Sequence, residues 1–247
     1  MPERPAGAHP TPGWRFESEL WSEGFCAVAG VDEAGRGAWA GPVVVGVVLL
    51  PVAVYPFVDS KTVAAPRREA LAAEVRARAL AWAIVEADAG EVDAVGVLNA
   101  TLAAAERGLR ALAGQPVAVA ELGRRAAGAI DALVTDYLRL PTQRWGAWDG
   151  PRGIRHPARA DARSYQVAAA SLLAKTHRDD VMRAAAVRWP EYGFERHKGY
   201  GAPEHRAALA RLGPCTWHRQ TFRPVAALAP RRGFDPPEDN ACQTLSE

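Results

Sequence analysis

The chain has 247 residues, 49% of them hydrophobic, and a formal net charge of +2, so it can bury a full core in one main domain and is too apolar for a disordered chain. It shows no solenoid period and no unbroken apolar run of about 18 residues, and its three cysteines (Cys26, Cys215, Cys242) share no C-x-x-C spacing; a repeat array, a membrane-spanning helix, a disulfide frame and a zinc knuckle are excluded on those grounds. Residues 1–150 carry 14 Lys+Arg against 18 Asp+Glu, whereas residues 151–233 carry 16 against 6, a bias that fits either a solvated arginine-rich surface or a face that binds a polyanion.

Residues 1–20 (MPERPAGAHPTPGWRFESEL) read as a loosely ordered arm, without the apolar centre of a signal peptide, so the expected location is the cytoplasm. Phe25–Val31 reads as a strand, broken at Gly35, Arg36 and Gly37. Pro42–Leu50 resumes as a second strand, whose unbroken Val/Leu content suits burial on both faces, and a hairpin is the economical connection. A loop carries Asp59, Ser60 and Lys61. Pro66 then opens a helix to about Leu80, and Trp82–Ala87 reads as a third strand.

Helical spacing returns over Val95–Ala113 and stops at Gly114, with a second short helix expected over Ala118–Ala127. Ala132–Leu138 reads as an apolar strand with one acid, and Gln143–Pro157, rich in Trp, Gly, Pro and Arg, as a loop. Asp161 stands immediately before a long helix expected from Ala162 to about Trp189, where Ser171, Lys175 and Arg178 share a face. A glycine-punctuated loop follows at residues 192–201, then a helix from Pro203 to about Leu212. A disordered tail is expected from residue 226. This order makes the chain α/β, with a strand meander first and helices crowding later.

Two adjacent acids, Asp32 and Glu33, interrupt an otherwise apolar hairpin. Buried carboxylates are costly unless paired or bound to a cation, so this pair is read as functional. Asp136 and Asp161 also sit at strand or helix ends. Each alone has a simpler explanation: Asp161 as a helix cap, Asp136 as a strand end turning outward. Adjacent strand residues also point to opposite faces, so Asp32 and Glu33 need not share a site if the strand stays regular, a restriction that a bend at Gly35 would relax. Together, acids at the ends of neighbouring strands would gather more negative charge than can stand without cations. An all-oxygen set favours Mg²⁺ or Mn²⁺ over zinc, and two such ions can clamp a phosphodiester undergoing hydrolysis. The residues thus point to a metal-dependent nuclease. His197 and His205 lack a third soft ligand and read as structural or hydrogen-bonding residues.

Four motifs carry a family resemblance: GVDEAGRG at 30–37, DSK at 59–61, AAASLLAKTHRD at 168–179, and YGFERHKGYG at 192–201. Over about residues 25–225 the chain resembles the bacterial ribonucleases HII, the type 2 ribonucleases H. The resemblance implies an RNase H-like fold with a five-stranded mixed sheet flanked by helices and a small C-terminal helical portion. It implies an endoribonuclease acting on the RNA strand of RNA/DNA hybrids and nicking 5′ of single ribonucleotides embedded in duplex DNA. Two-metal-ion hydrolysis would leave 3′-hydroxyl and 5′-phosphate ends, and the role would lie in ribonucleotide excision and RNA primer removal by a monomer. By motif, the metal-binding acids fall on Asp32, Glu33, Asp136 and Asp161. Gly35, Arg36 and Gly37 would meet the ribose 2′-hydroxyl with Tyr200, and Lys61, Lys175 and Arg178 are candidate phosphate contacts. The chain departs from the family's pattern at Arg159–Ala160, where Lys-Gly is common, and at Tyr137, where Gly often follows the third acid. The rival readings are another RNase H-like nuclease, hybrid-only or junction-specific, and a non-catalytic nucleic-acid-binding module on the same fold.

Overall fold

A computed structural model of the chain describes residues 11–115, 130–140 and 150–228; the short helix expected over 118–127, residues 143–149 of the expected loop and nearly all of the tail lie outside them. The chain opens with helix α1 (Arg15–Ser22) and hairpin strands β1 (Val28–Ala34) and β2 (Val43–Leu49). Helix α2 (Ala65–Arg78), strand β3 (Ala81–Ala87), and helices α3 (Ala89–Val95) and α4 (Val97–Ala113) follow. Then come β4 (Ala132–Thr135), β5 (Gly153–Arg155), the long α5 (Tyr165–Arg188), and the short α6 (Phe194–His197), α7 (Pro203–Leu212) and α8 (Arg223–Ala226).

The five strands form one mixed sheet in the order β3-β2-β1-β4-β5. β1 pairs antiparallel with β2 and parallel with β4; β2–β3 is antiparallel and β4–β5 parallel. β1 is therefore central, and its end carries the two adjacent acids.

Alternation along β1 assigns its faces. Ala29 and Val31 join Val43, Val45 and Val47 of β2 in the core beneath α4, whose Leu102, Ala105, Leu109 and Leu112 complete it. Gly30 and Asp32 point the other way, toward α5. The helix lies so close there that a Cβ on Gly30 would stand 2.2 Å from the Gln166 carbonyl carbon, and one on Gly46 2.4 Å from the Ala170 oxygen. Buried Gln166 stitches the layer: its Nε2 donates to the Val28 oxygen at 2.9 Å while its Oε1 accepts from Leu50 N at 2.9 Å. The alanine-rich face of α5 packs with α2 and the aromatic cluster at Tyr55 and Phe57.

Four expectations are corrected. The last six residues of the supposed N-terminal arm belong to α1, which buries Phe16, Leu20 and Glu17. Its amphipathic spacing is short enough to be masked by the polar residues before it. The helix expected from Val95 to Ala113 is α4, which starts two residues later at Val97, and the unforeseen α3 precedes it, divided from it at Gly96, whose φ of 82° takes the chain out of the helical region. β4 stops at Thr135 because the Thr135 hydroxyl donates to the Leu138 oxygen at 2.7 Å and closes a turn. Within the expected loop, residues 153–155 pair with β4 as an edge strand, since Gly153 leaves room for the Phe25 ring, 2.6 Å from where its Cβ would be.

Candidate active site

Three separate local structures bring the four acids to one end of the sheet. β1 delivers Asp32 and Glu33 on adjacent positions. Asp136 lies in the turn after β4, where its Oδ1 accepts from Ala160 N at 2.9 Å. Asp161 lies in a single 3₁₀ turn, Ala160–Ala162, ahead of α5. It is not the cap of the long helix: Ser164 is, its hydroxyl accepting from Val167 N at 3.1 Å. Asp161 is thus left free of the capping role that its sequence position suggests.

The electrostatics show how close the group is. Burial is the main cause that raises Asp32 well above the ordinary carboxylate range, and the charges of Glu33, Asp136 and Asp161 push the same way, against the hydrogen bond from Ser171. Glu33 is raised mainly by burial, with Asp136 adding to it and Arg36 opposing. Asp136 is also raised, by burial first and then by Asp161, against the amide of Ala160. Two oxygens, Asp32 Oδ2 and Glu33 Oε2, are buried without a hydrogen-bond partner. Lys61 Nζ stands 3.0 Å from Asp161 Oδ2. Burial alone would lower that ammonium, but Asp161, Asp32 and Asp59 outweigh it and the net direction is up. Among the described residues no three acid, His or Cys side chains are grouped so as to hold a metal ion as they stand. What the site offers is a cluster of repelling oxygens, two of them orphaned, with one lysine ammonium beside them. That donor set fits a hard divalent cation.

The loop after β1 is held from below by two fully buried arginines. Arg178 of α5 donates from Nε to the Pro42 oxygen, from Nη1 to that of Lys198 and from Nη2 to that of Ala40, at 2.9–3.1 Å. Arg219 donates from Nε and Nη2 to the Gly41 oxygen and from Nη1 to that of Arg36, at 2.8–3.0 Å. Gly35, at φ 96°, is required here, because a Cβ would lie 2.0 Å from Arg178 Nε. Tyr200 is 38% exposed; the Arg178 guanidinium sits 5.3 Å from its ring centroid, and its Cε1 stands 4.0 Å from where a Gly37 Cβ would be. Arg36 donates to Glu33 Oε1 at 3.0 Å, tying this loop to the acids.

Two of the expected phosphate contacts face elsewhere. Arg178 is 0% exposed and gives three of its five N–H donors to carbonyls, so it braces the loop from within. Lys175 Nζ is 2.6 Å from Asp179 Oδ1, and Asp179 also takes Arg68 at 2.8 Å, an ion-pair triad inside the helix layer. Lys61 alone of the three reaches the acids. Ser171 lies beneath Asp32 and shares a 2.9 Å hydrogen bond with Ser60, which gives both serines a place that sequence reasoning missed. Arg219 was missed as well, since nothing local in HRQTF marks an arginine as buried.

His197 and His205 are hydrogen-bonding residues, as expected, and His218 with Cys215 extends their network. His205 Nδ1 donates to the Tyr200 oxygen at 2.9 Å, so its Nε2 accepts from His218 Nε2 at 3.0 Å, and His218 Nδ1 accepts from Cys215 N at 3.0 Å. One set of neutral tautomers satisfies the chain. Burial is the leading reason that His205 is lowered to about 4 and His218 to about 3, and it pushes the Cys215 thiol up to about 11.

The sequence matches the family model for ribonuclease HII over residues 29–225. The chain belongs to that family. A ribonuclease HII of Thermus thermophilus is 51% identical over 211 residues, covering 85% of this chain and 93% of the relative. That of Syntrophotalea carbinolica is 44% identical, covering 85% and 91%. The fold is shared with ribonuclease H2 of Pyrococcus horikoshii, at a TM-score of 0.61 and 21% identity over 81% of this chain and 96% of that one. It is shared too with Bst-RNase HIII, solved in complex with Mn²⁺, at 0.58 and 16% over 82% and 68%. The protein is a metal-dependent endoribonuclease that cleaves RNA in RNA/DNA hybrids and at embedded ribonucleotides.

Proposed function

We propose that Asp32, Glu33, Asp136 and Asp161 hold Mg²⁺ or Mn²⁺, and that the enzyme nicks 5′ of a single ribonucleotide in duplex DNA, leaving 3′-hydroxyl and 5′-phosphate ends. The observation that carries this is the pair of buried, unpartnered oxygens, Asp32 Oδ2 and Glu33 Oε2, among carboxylates that raise one another's pKa. Bound divalent ions supply charge stabilisation to the attacking and leaving oxygens of the phosphodiester.

The protein's own groups do the rest. Ser171 orients Asp32, the Ala160 amide orients Asp136, and Arg36 turns Glu33. Lys61, with its side chain 68% exposed and its ammonium on Asp161, offers a mobile cation to the phosphate being cut. The Gly35–Arg36–Gly37 backbone and Tyr200 read the ribose 2′-hydroxyl. Support comes from the lack of a Cβ at Gly37, the near approach of Tyr200, and the two arginines that hold the loop in one shape.

The test is a duplex with one ribonucleotide beside a full hybrid and an all-DNA duplex, each incubated with Mg²⁺, Mn²⁺ or chelator. Cleavage should need the ion, fall 5′ of the ribonucleotide, vanish in Asp136→Asn, and lose selectivity or rate in Tyr200→Ala without loss of fold. Cutting of the hybrid alone would favour the hybrid-only rival. Unaltered cleavage by Tyr200→Ala would remove Tyr200 from the sugar-reading role.

A further inference from the structure

Three described residues other than glycine hold a left-handed backbone: Tyr137 (φ 58°), Arg159 (φ 57°) and Lys198 (φ 53°). All three border the site. Tyr137 follows Asp136, Arg159 stands two residues before Asp161, and Lys198 two before Tyr200. For a bulky side chain this conformation costs stability, and glycine would relieve it. Strain of this kind persists where function holds it in place.

Tyr137 recovers little by burial, since it is 68% exposed. Among the described large apolar side chains that are exposed, the others are Val, Leu and one further aromatic, Tyr200. The two open aromatic rings of the described surface therefore both flank the carboxylate cluster, one beside the loop after β1 and one beside Asp136. The turn that presents Tyr137 is fixed on both sides, by the Ala160 amide on Asp136 and by the Thr135 hydroxyl on the Leu138 oxygen.

We propose that Tyr137 is a substrate-contact residue, a second aromatic platform that packs its ring against the sugar of a nucleotide next to the scissile phosphate, on the Asp136 side. This rests on the reading of Asp136 as part of the reactive centre. A ring face tolerates any sequence, because every nucleotide presents an apolar sugar surface. The ring stands exposed on a turn whose neighbouring carboxylate is held by the Ala160 amide.

The experiment compares wild type, Tyr137→Phe and Tyr137→Gly on a duplex carrying one ribonucleotide, at saturating Mg²⁺, with thermal unfolding of each. Tyr137→Phe keeps the ring and should hold KM within about twofold. Tyr137→Gly should raise KM about tenfold with kcat within about twofold, while its Tm rises by about 2–4 °C as the strain is released. A surface residue without contact would give the Tm rise with KM unchanged, and that result overturns the proposal. So does a loss confined to kcat, which would make Tyr137 a holder of Asp136, and so does an equal loss in Tyr137→Phe, which would replace ring packing by a hydroxyl contact. Wild type inert on this duplex with either ion would sink the underlying reading of the site, and the proposal with it.

Discussion

Glu17 of α1 is fully buried, with the Ser164 hydroxyl on its Oε1 and no partner for its Oε2. Burial, opposed by that hydrogen bond and by backbone amides, pushes its pKa from 4.5 up to about 7. An acid raised in this way contributes stability that is fully present below the unfolded value and is lost as pH rises through the folded one. At 1.36 kcal/mol per unit, the 2.5-unit rise corresponds to about 3 kcal/mol lost between pH 4.5 and pH 8. Glu17→Gln keeps the acceptor for Ser164 and removes the titration. Wild type and variant should therefore differ by less than about 1 kcal/mol near pH 5, and at pH 8.5 the variant should be more stable by about 3 kcal/mol, roughly 6–12 °C in Tm for a chain of this size. Thermal melts followed by circular dichroism at several pH values measure the difference, in which the titrations of Asp32, Glu33 and Asp136 cancel because both proteins share them. A gap that does not change with pH, or one in which wild type gains on the variant as pH rises, would refute the reasoning.

Gly35→Ala should destabilise the protein by about 2–4 kcal/mol in urea unfolding and slow cleavage, because it combines an unfavourable φ with a Cβ 2.0 Å from Arg178 Nε; wild-type behaviour in both assays would mean that Arg178 does not fill the space beneath the loop. Asp32→Asn should abolish cleavage yet raise the Tm of the metal-free protein at pH 8. The pKa of Asp32 is raised, so its ionised form weakens the folded state above that pKa, and the amide removes the charge. Lower stability in chelator than wild type would count against an overcharged site.

The hairpin was legible in the sequence because its signal is local: a β-branched run, two acids and glycines within 23 residues. The gathering of the four acids could be anticipated from their places at strand and helix ends. What the sequence concealed were facts that depend on distant backbone. Arg178 looks like any helical cation, and its burial is set by carbonyls at Ala40 and Pro42, more than 130 residues away. Lys175 is withdrawn from the phosphate role by Asp179 one turn later, a pairing that was readable from i,i+4 spacing. Asp161 has a side chain suited to capping, but the helix begins four residues later at Tyr165, and Ser164 takes that role. The edge strand at 153–155 is too short to show a period and exists only because β4 is there to pair with it.

The bond from Arg219 to the Arg36 oxygen joins positions 183 residues apart. A ribosome emits a chain from its N-terminus at roughly 5–20 residues per second, so this guanidinium arrives roughly 10–40 s after the carbonyl it serves. Asp161, the last of the four acids, emerges 58 residues before Arg219, so for roughly the final 3–12 s all four acids and the central strand are out while the loop beside them still lacks its last brace. The newborn protein completes its cluster of negative charge before the final form of its sugar-facing loop, which waits for Arg219.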